Sequence, residues 1–429
     1  MKFSIITFGC KVNQCESDNI RFSMVQKGYE LSESIENADI VIINSCTVTA
    51  ESDRKLRQTI NKIKKINPNG IILLTGCMPQ AFPEKAKNLL DIDIVIGNSE
   101  KHEMVSVLEN YLKNKVKIFN VNNINNVFEF EKATFDSRLQ RSRAFLKIED
   151  GCDRFCSYCI IPYARGRVRS KKPEEIKKDI LNLSANGYKE IVLVGINLFS
   201  YGKDINLSIC DAVKTVAEVP EIKRIRLGSL EPDLVSDKII EKLSYEKKLC
   251  PQFHLSLQSG SDKILKSMRR KYTSEDYLKL VKKLKEKFPN ATFTTDLMVG
   301  FPGETEGDFK KSLEIIEKVQ FLKVHVFPYS RRPGTLADKY LGQISKNIKT
   351  ERVKKAIEFS EEIGKMVLKS FVGKTFDVLF ETKDEDGFYE GYTSNYIYVK
   401  VKSQEDLIGN IKKVNLLKVD KNFCIGALH

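Results

Sequence analysis

The residues best able to carry chemistry in this chain are cysteines, and six of its ten stand in telling positions. The segment GCDRFCSYC places Cys152, Cys156 and Cys159 in a C-x3-C-x2-C pattern within one short loop. Thiolates so close along the chain can wrap one face of an iron–sulfur cubane and ligate three of its irons, leaving the fourth open. An electron-transfer cluster has no use for an open iron, whereas a cluster that binds a substrate directly does. Zinc is the competing occupant. A structural zinc site closes with four ligands, and no fourth Cys or His lies near this loop.

Cys10, Cys46 and Cys77 fall in TFGC, INSC and LTGC, each directly after a strand-like run. In an open parallel sheet the C-terminal strand ends share one edge, and ligands bind there. Three strands would thus deliver one thiol each to a second three-ligand cluster site. The alternative is three buried cysteines that merely end strands, since Cys is among the most buried residue types. Cys15, Cys210, Cys250 and Cys424 read as ordinary thiols.

The elements that position these residues are legible as three blocks. Residues 1–120 alternate strand-like runs (Phe3–Thr7, Ile40–Asn44, Ile71–Thr75, Ile94–Ile96) with Lys- and Glu-rich helical stretches. That rhythm predicts an open parallel α/β sheet with helices around it. The Asn-rich stretch 121–137 reads as a linker. A second block, 138–370, carries six strand-like runs, AFLKIE, EIVLVG, RIRLGSL, QFHLSL, TFTTDLMVG and LKVHVF. Helical patterns separate them, which predicts a partial (β/α)6 barrel. A charged helix over about 346–369 follows. In residues 371–429, TFDVLFETK, GFYEGYTS, YIYVKVK and KKVNLLKV predict a small all-β barrel. Sites in βα barrels gather at strand C-termini. There stand Gly195 and Asn197, Ser229 and Glu231, and Asp296, Gly300 and Pro302; a glycine at 195 would let a cofactor approach the backbone.

The formal net charge of +14 favours a polyanionic partner, nucleic acid above all; lysine-rich codon usage is the bland account. Arg141, Arg143, Arg165, Arg167 and Arg169 flank the cysteine loop, and Arg269, Arg270 and Lys271 form a further run. Guanidinium groups suit phosphate, and the group flanking the loop reads as cofactor or RNA contacts, although any one of them could be a solvated charge or half of a salt bridge. Residues 371–429 hold 8 Lys, no Arg and 9 acidic residues, so the tail is not basic. Its Tyr389, Tyr392, Tyr396 and Tyr398 could stack on bases or pack within strands. No apolar run reaches the length of a membrane span, and the N-terminus lacks a signal-peptide layout. A cytoplasmic location is expected, where ten cysteines would not pair as disulfides.

Longer strings carry a resemblance. GCDRFCSYC is similar to the cluster loop of the radical S-adenosylmethionine superfamily. With TFGCKVNQ, NSCTVT, GCMPQ, HLSLQSGSDKILKSMRRKY, DLMVGFPGETE and VHVFPYSRRPGT it resembles the methylthiotransferase branch over nearly the whole chain. The resemblance implies two 4Fe–4S clusters, one on Cys152, Cys156 and Cys159 with S-adenosylmethionine on its open iron, the other on Cys10, Cys46 and Cys77. It implies that Tyr158 lies near the adenine of S-adenosylmethionine, with Gly195, Asn197, Ser229, Glu231, Asp296 and Gly300 as further cofactor contacts. One S-adenosylmethionine would methylate a sulfur on the auxiliary cluster, and another would be cleaved to the radical that starts replacement of an adenine C2 hydrogen. Both clusters must then face one cavity. GCKVNQ and CTVT resemble the MtaB family best, which implies conversion of N6-threonylcarbamoyladenosine beside the tRNA anticodon to its 2-methylthio derivative. The same chemistry on isopentenyladenosine or on a ribosomal protein is the nearer alternative, and a non-catalytic iron–sulfur RNA-binding sensor the farther one. The implied partners are tRNA, rather than DNA or a membrane, and an electron donor such as flavodoxin or ferredoxin. The tail resembles the TRAM RNA-binding barrel. Cys15 departs from the family, which has Tyr there, and leaves room for a reactive thiol near the cluster.

Overall fold

The computed structural model describes residues 1–131 and 142–429. Arg141 lies outside them. The chain opens with β1 (Lys2–Thr7), α1 (Lys11–Gln26), β2 (Glu30–Leu31), β3 (Ile40–Ser45) and α2 (Ala50–Ile66). β4 (Ile71–Gly76), α3 (Cys77–Ala81), α4 (Pro83–Lys87), β5 (Ile94–Ile96), α5 (Met104–Asn114) and β6 (Ile118–Asn120) complete this part. The sheet is parallel, in the order β2-β1-β3-β4-β5-β6. IVIINS of β3 is buried at every residue, as a central parallel strand covered on both faces must be. Val41 and Ile43 meet Leu56, Ile60 and Ile63 of α2 on one face, while Ile40 and Ile42 meet Ile20, Met24 and Leu108 on the other. β2 and β6, too short to show a pattern, extend both edges. Within the expected linker, Ile124 is buried in a single 3-10 turn that packs against the residues after the cysteine loop.

The second part comprises β7 (Arg143–Lys147), β8 (Glu149–Asp150), α6 (Ile161–Arg165), β9 (Arg169–Ser170), α7 (Pro173–Ala185), β10 (Glu190–Val194) and α8 (Ile209–Ala217). It continues with β11 (Arg224–Leu227), β12 (Ser229–Leu230), α9 (Asp237–Ser244), β13 (Gln252–Leu255), α10 (Asp262–Ser267) and α11 (Ser274–Lys287). β14 (Thr292–Val299), α12 (Glu306–Val319), β15 (Lys323–Pro328) and α13 (Lys346–Lys369) close it. The six expected runs form parallel arcs β7-β10-β11 and β12-β13-β14-β15, and the run RIRLGSL breaks at Gly228 into β11 and β12. Successive strand residues alternate faces. Phe253, Leu255, Phe293, Leu297 and Val299 point outward to the helices, and the inward set is polar apart from Phe145, Val192 and Val194, which α1 covers. Arg226 binds Glu190, Gln252 and His254 bind Thr294, and His254 binds Asp296. The lumen is therefore a polar chamber rather than a filled core. α1 of the first part lies against its inner wall, where Val12 and Cys15 pack with Val192, Val194 and Phe145.

β16 (Thr375–Lys383), β17 (Phe388–Thr393), β18 (Tyr398–Lys402), β19 (Ile411–Asp420) and β20 (Phe423–Leu428) close a small barrel in the order β16-β17-β18-β20-β19. The final strand was not read from the sequence. This barrel plugs the N-terminal end of the larger one. Arg224 donates to the carbonyls of Asp377 and Tyr392, Arg226 to that of Ser394, and Thr292 to that of Asn395. Among the described residues no helix is long and apolar enough to cross a membrane.

Candidate active site

Cys152, Cys156 and Cys159 occupy the loop between β8 and α6. Gly151 turns the chain into it at φ +87°, where a Cβ would overlap the Arg167 carbonyl, so only glycine fits. The Cys152 amide donates to Gly166 O, and the amide and hydroxyl of Ser157 donate to the carbonyls of Met268 and Ser267. Two side chains reach the thiols: Arg270 Nη1 lies 3.5 Å from Cys156 Sγ, and Asn197 Nδ2 lies 4.0 Å from Cys152 Sγ. Burial pushes the Cys152 thiol up to about 12 and lifts Cys159 further. Thiols that bind a metal do so as thiolates, so a metal held by this loop would release protons, and the Arg270 cation favours ionisation of Cys159. Among the described residues no three His, Cys, Asp or Glu converge as ligands of a single ion.

The other three cysteines meet at one sheet edge. Cys10 is the N-cap of α1, Cys46 follows β3, and Cys77 opens α3 directly after β4. Gly9 and Gly76 precede two of them at φ +107° and +101°. A Cβ on Gly9 would press on Cys46, and one on Gly76 would overlap the Ser45 backbone. Asn13 holds the edge together: its Nδ2 donates to Phe8 O at 2.8 Å and Ser45 O at 3.1 Å, and its Oδ1 accepts from Cys10 Sγ at 3.7 Å. Burial raises the Cys10 thiol, and it pushes Cys46 up to about 11 with help from the neighbouring Cys77.

Arg165 ties the two sets together. It ends α6, directly beyond the cysteine loop, is wholly buried, and donates from Nε to Cys77 Sγ at 3.3 Å and from Nη2 to Asn13 Oδ1 at 2.7 Å. It also pairs with Glu16 and Asp150. Glu16 in turn takes Lys101 and Lys147, the latter at 2.8 Å. Burial alone would raise the Glu16 carboxyl, but Arg165, Lys101 and Lys147 hold it well below the usual range. Of the two roles expected for these arginines, cofactor or RNA contact, the RNA role is corrected for Arg165 and Arg169: both are buried, Arg165 faces Cys77, and Arg169 pairs with Asp150 at 3.4 Å. A second tie joins the strings NSCTVT and YSRRPG. Arg332 pairs with Asp53 at 2.7 Å and donates to Thr47, while Ser330 Oγ accepts from the Ala50 amide.

The residues expected around S-adenosylmethionine divide. Tyr158 packs edge-on against Phe301 beside the loop. Glu231 is clamped by Arg270 at 2.6 Å and Arg154 at 3.2 Å, and burial still lifts its carboxyl above the ordinary value. Asn197 is buried next to Cys152. Ser229 is exposed in the lumen, opposite His254 in register, and Asp296 faces the same space. At Gly195 it is the Glu149 carboxylate that crowds the backbone, and at Gly300 the Lys349 side chain. Glu149 itself was missed. It is wholly buried at the end of the first barrel segment, accepts from the Asn197 amide at 2.8 Å, and is pushed up to about 8 by burial. Its place directly before the cysteine loop was the available signal.

Three further readings change. Cys15 is packed between α1 and the barrel wall with its thiol toward Phe145 O at 3.5 Å, and burial raises its pKa; five residues turn it away from Cys10, so it is not a reactive thiol. Tyr392 stacks on Tyr396 and Tyr398, with ring centroids 4.6 and 5.2 Å away, and Tyr389 is buried in the small barrel. Arg143 and Arg226 cover Tyr396, and Arg143 also pairs with Glu381 at 2.7 Å. Tyr392, Tyr396 and these arginines dock one barrel on the other instead of waiting for bases and phosphates. Arg270 likewise faces the loop, which leaves Arg167, Arg269 and Lys271 as the exposed basic residues of the expected sets.

Three family models match the chain: the Radical SAM superfamily over residues 146–316, the Uncharacterized protein family UPF0004 over 2–97, and the TRAM domain over 369–428. Threonylcarbamoyladenosine tRNA methylthiotransferase MtaB of Bacillus subtilis is 39% identical over 420 residues, covering 96% of this chain and 93% of that protein. The protein of the same name from Thermotoga maritima is 40% identical over 407 residues, covering 95% and 91%. The tRNA-2-methylthio-N(6)-dimethylallyladenosine synthase of Clostridium botulinum is 36% identical over 429 residues, covering 98% and 95%. Among solved structures, the radical S-adenosylmethionine methyltransferase TsrM of Kitasatospora setae shares the fold, with a TM-score of 0.60 at 12% identity over 78% of this chain and 76% of that one. A loop of three cysteines on a partial βα barrel, full-length similarity to tRNA methylthiotransferases and a C-terminal TRAM barrel place the chain in the radical S-adenosylmethionine methylthiotransferase family, whose radical chemistry uses a 4Fe–4S cluster and S-adenosylmethionine.

Proposed function

We propose that this chain converts N6-threonylcarbamoyladenosine next to the tRNA anticodon to its 2-methylthio derivative, with two 4Fe–4S clusters and S-adenosylmethionine. The observation that carries the two-cluster reading is Arg165. A side chain six residues beyond Cys159 donates to Cys77 Sγ at 3.3 Å, so the two cysteine sets open on one seam. A barrel that only cleaved S-adenosylmethionine would not need the second set. The substrate is supported by the full-length similarity to relatives named for threonylcarbamoyladenosine.

Cys152, Cys156 and Cys159 would hold one cluster with an open iron, and Cys10, Cys46 and Cys77 the other. When bound, these groups supply the radical, sulfur and methyl chemistry that an unactivated adenine C2–H requires of a cofactor. The chain's own residues do the rest. Asn197 and Arg270 orient two thiolates of the loop. Glu231, fixed by Arg154 and Arg270, presents a polar wall at the end of β12. The buried Glu16–Arg165 pair keeps water out of the seam and fixes the spacing of the two sets. Ser229, His254 and Asp296 line the chamber that the base would enter. Arg167, Arg269 and Lys271 near the loop would contact tRNA phosphates, with the TRAM barrel as a second RNA contact. A one-electron donor of the flavodoxin or ferredoxin type and a cytoplasmic location complete the proposal.

The second reading is methylthiolation of dimethylallyladenosine, favoured by the similarity to the Clostridium botulinum synthase. Mass spectrometry of tRNA nucleosides from a deletion strain separates the two. The proposal requires 2-methylthio-N6-threonylcarbamoyladenosine to vanish and its unthiolated precursor to accumulate. Loss of the dimethylallyl derivative instead would establish the second reading.

A further inference from the structure

The floor of the barrel lumen carries more positive charge than it can neutralise. Arg143, Arg224 and Arg226 converge on Glu190, at 3.9, 3.5 and 2.8 Å, and Arg143 also pairs with Glu381 at 2.7 Å. Lys11, the residue after Cys10, adds a fourth cation. Its Nζ stands 5.8 Å from the Phe145 ring centroid, within electrostatic reach of Tyr396, Arg143 and Arg226 and of His325 across the chamber. Lys11 is exposed, and among the described residues no carboxylate pairs with it, whereas Arg143, Arg224 and Arg226 each have one. Asp296, the next carboxylate up the lumen, is taken by His254 at 3.2 Å. On the floor itself Glu190 and Glu381 thus face Arg143, Arg224, Arg226 and Lys11, with Asp296 farther up the lumen. The effect is felt by Tyr396: burial would raise its phenol, yet Arg143, Lys11 and Arg226 hold it below its ordinary value.

An exposed cation at the chamber wall beside Cys10, with no carboxylate of its own, is placed to pair with an anion that the substrate brings in. The partner must be an anion, and it must reach the chamber from the open mouth on which the cysteine sets lie. We propose that Lys11 is the specificity-determining residue that receives the carboxylate of the threonylcarbamoyl group. The inference rests on the threonylcarbamoyl reading above and adds to it the residue that selects the substrate. A dimethylallyl group is apolar and offers no charge to this cation. An ammonium on a flexible stem suits the task, since Arg143 and Arg226 are already oriented by Glu190 and the docked small barrel.

The test uses reconstituted holoenzyme and two anticodon stem-loops of one sequence. One carries threonylcarbamoyladenosine, and the other carries its methyl ester, which differs by the lost charge. Wild-type enzyme is expected to favour the acid on the order of tenfold to a hundredfold in KM and in equilibrium affinity. Lys11→Met brings that ratio close to one, and Lys11→Arg keeps the preference. The ratio is taken within one preparation, so partial misfolding cancels, and affinity without turnover supplies it if Lys11→Met turns over neither RNA. An unchanged ratio in Lys11→Met, or equal weakening of both RNAs as a backbone-phosphate contact would give, overturns the inference while leaving the threonylcarbamoyl reading intact. A wild-type enzyme that methylthiolates only a dimethylallyl stem-loop overturns that reading, and the inference with it.

Discussion

Replacing Glu16 by Gln should destabilise the seam between the first domain and the barrel, and the size of the loss follows from which cations are left behind. Glu16 receives Arg165, Lys101 and Lys147 and is nearly inaccessible, with 2% of its side chain exposed. In the variant Arg165 keeps Asp150 at 3.4 Å, and Lys147 keeps Asp150 at 2.8 Å and Glu131 at 2.9 Å. Lys101 keeps nothing, since Glu16 is its one carboxylate among the described residues. Removing one partner of a buried pair costs about 3–5 kcal/mol. For a part of this size that is a fall in melting temperature of about 10 °C. Burial already holds the Lys101 ammonium below its ordinary value, with Glu16 opposing. A lysine with a lowered folded pKa gains stability as pH rises toward its unfolded value, so the deficit of Glu16→Gln should shrink between pH 7 and 10. Glu16 itself is held far below the carboxylate range, so its contribution in the native protein is complete above the unfolded value and is lost only in strong acid. The assay is anaerobic urea unfolding of the wild type, Glu16→Gln, Lys101→Met and the double variant. The double variant should recover most of the loss. A cost under about 1 kcal/mol, or no recovery in the double variant, would refute the account of this network.

Other outcomes follow from the same geometry. Alanine at Cys152, Cys156 and Cys159 together should halve the iron taken up on anaerobic reconstitution and abolish 5′-deoxyadenosine formation; unchanged iron content would remove this loop from the account. Glu149 is pushed up to about 8, so it stays protonated in the fold while the unfolded chain ionises. Stability of the metal-free protein should therefore fall as pH rises from about 5 to 8, by on the order of 5 kcal/mol at most, and Glu149→Gln should flatten that slope in melts across pH. Alanine at exposed Arg167, Arg269 and Lys271 should reduce the salt dependence of tRNA binding by about one unit of slope per contact. Arg270→Ala should leave that slope and impair the cysteine loop instead, and a salt series on both variants decides between them.

What the sequence disclosed was whatever leaves a local pattern. The cysteines could be placed at strand ends because β3 and β4 are continuous apolar runs and Gly9 and Gly76 punctuate them. α13 was legible over its whole length because its charged stretch is long. β2, at two residues, and β6, at three, carry no periodicity, and β20 holds a glycine at Gly426 that breaks the strand signature. Contacts across the chain leave no such trace. Arg165 and Glu16 lie 149 residues apart, and Arg143 meets Glu381 across 238. A cationic run therefore read as an RNA surface, although most of it is spent inside the fold. The tyrosines of the small barrel left both outcomes open: a ring that can stack on a base can equally stack on Arg143, and only the docking of the two barrels decides which it does. Cys15 was expected near the cluster, because the wall that α1 packs against leaves no trace in the sequence.

The most direct test of the central claim concerns Cys10, Cys46 and Cys77, through which the first domain would contribute to thiolation. A deletion strain is complemented with the wild-type chain or with the triple alanine variant, the tRNA nucleosides are measured by mass spectrometry, and the purified variant is reduced with S-adenosylmethionine. The account predicts that the variant still forms 5′-deoxyadenosine on the intact loop of Cys152, Cys156 and Cys159, yet installs no methylthio group on threonylcarbamoyladenosine. Wild-type levels of the methylthiolated nucleoside from the triple variant would contradict it and reduce the three cysteines to packing at a sheet edge.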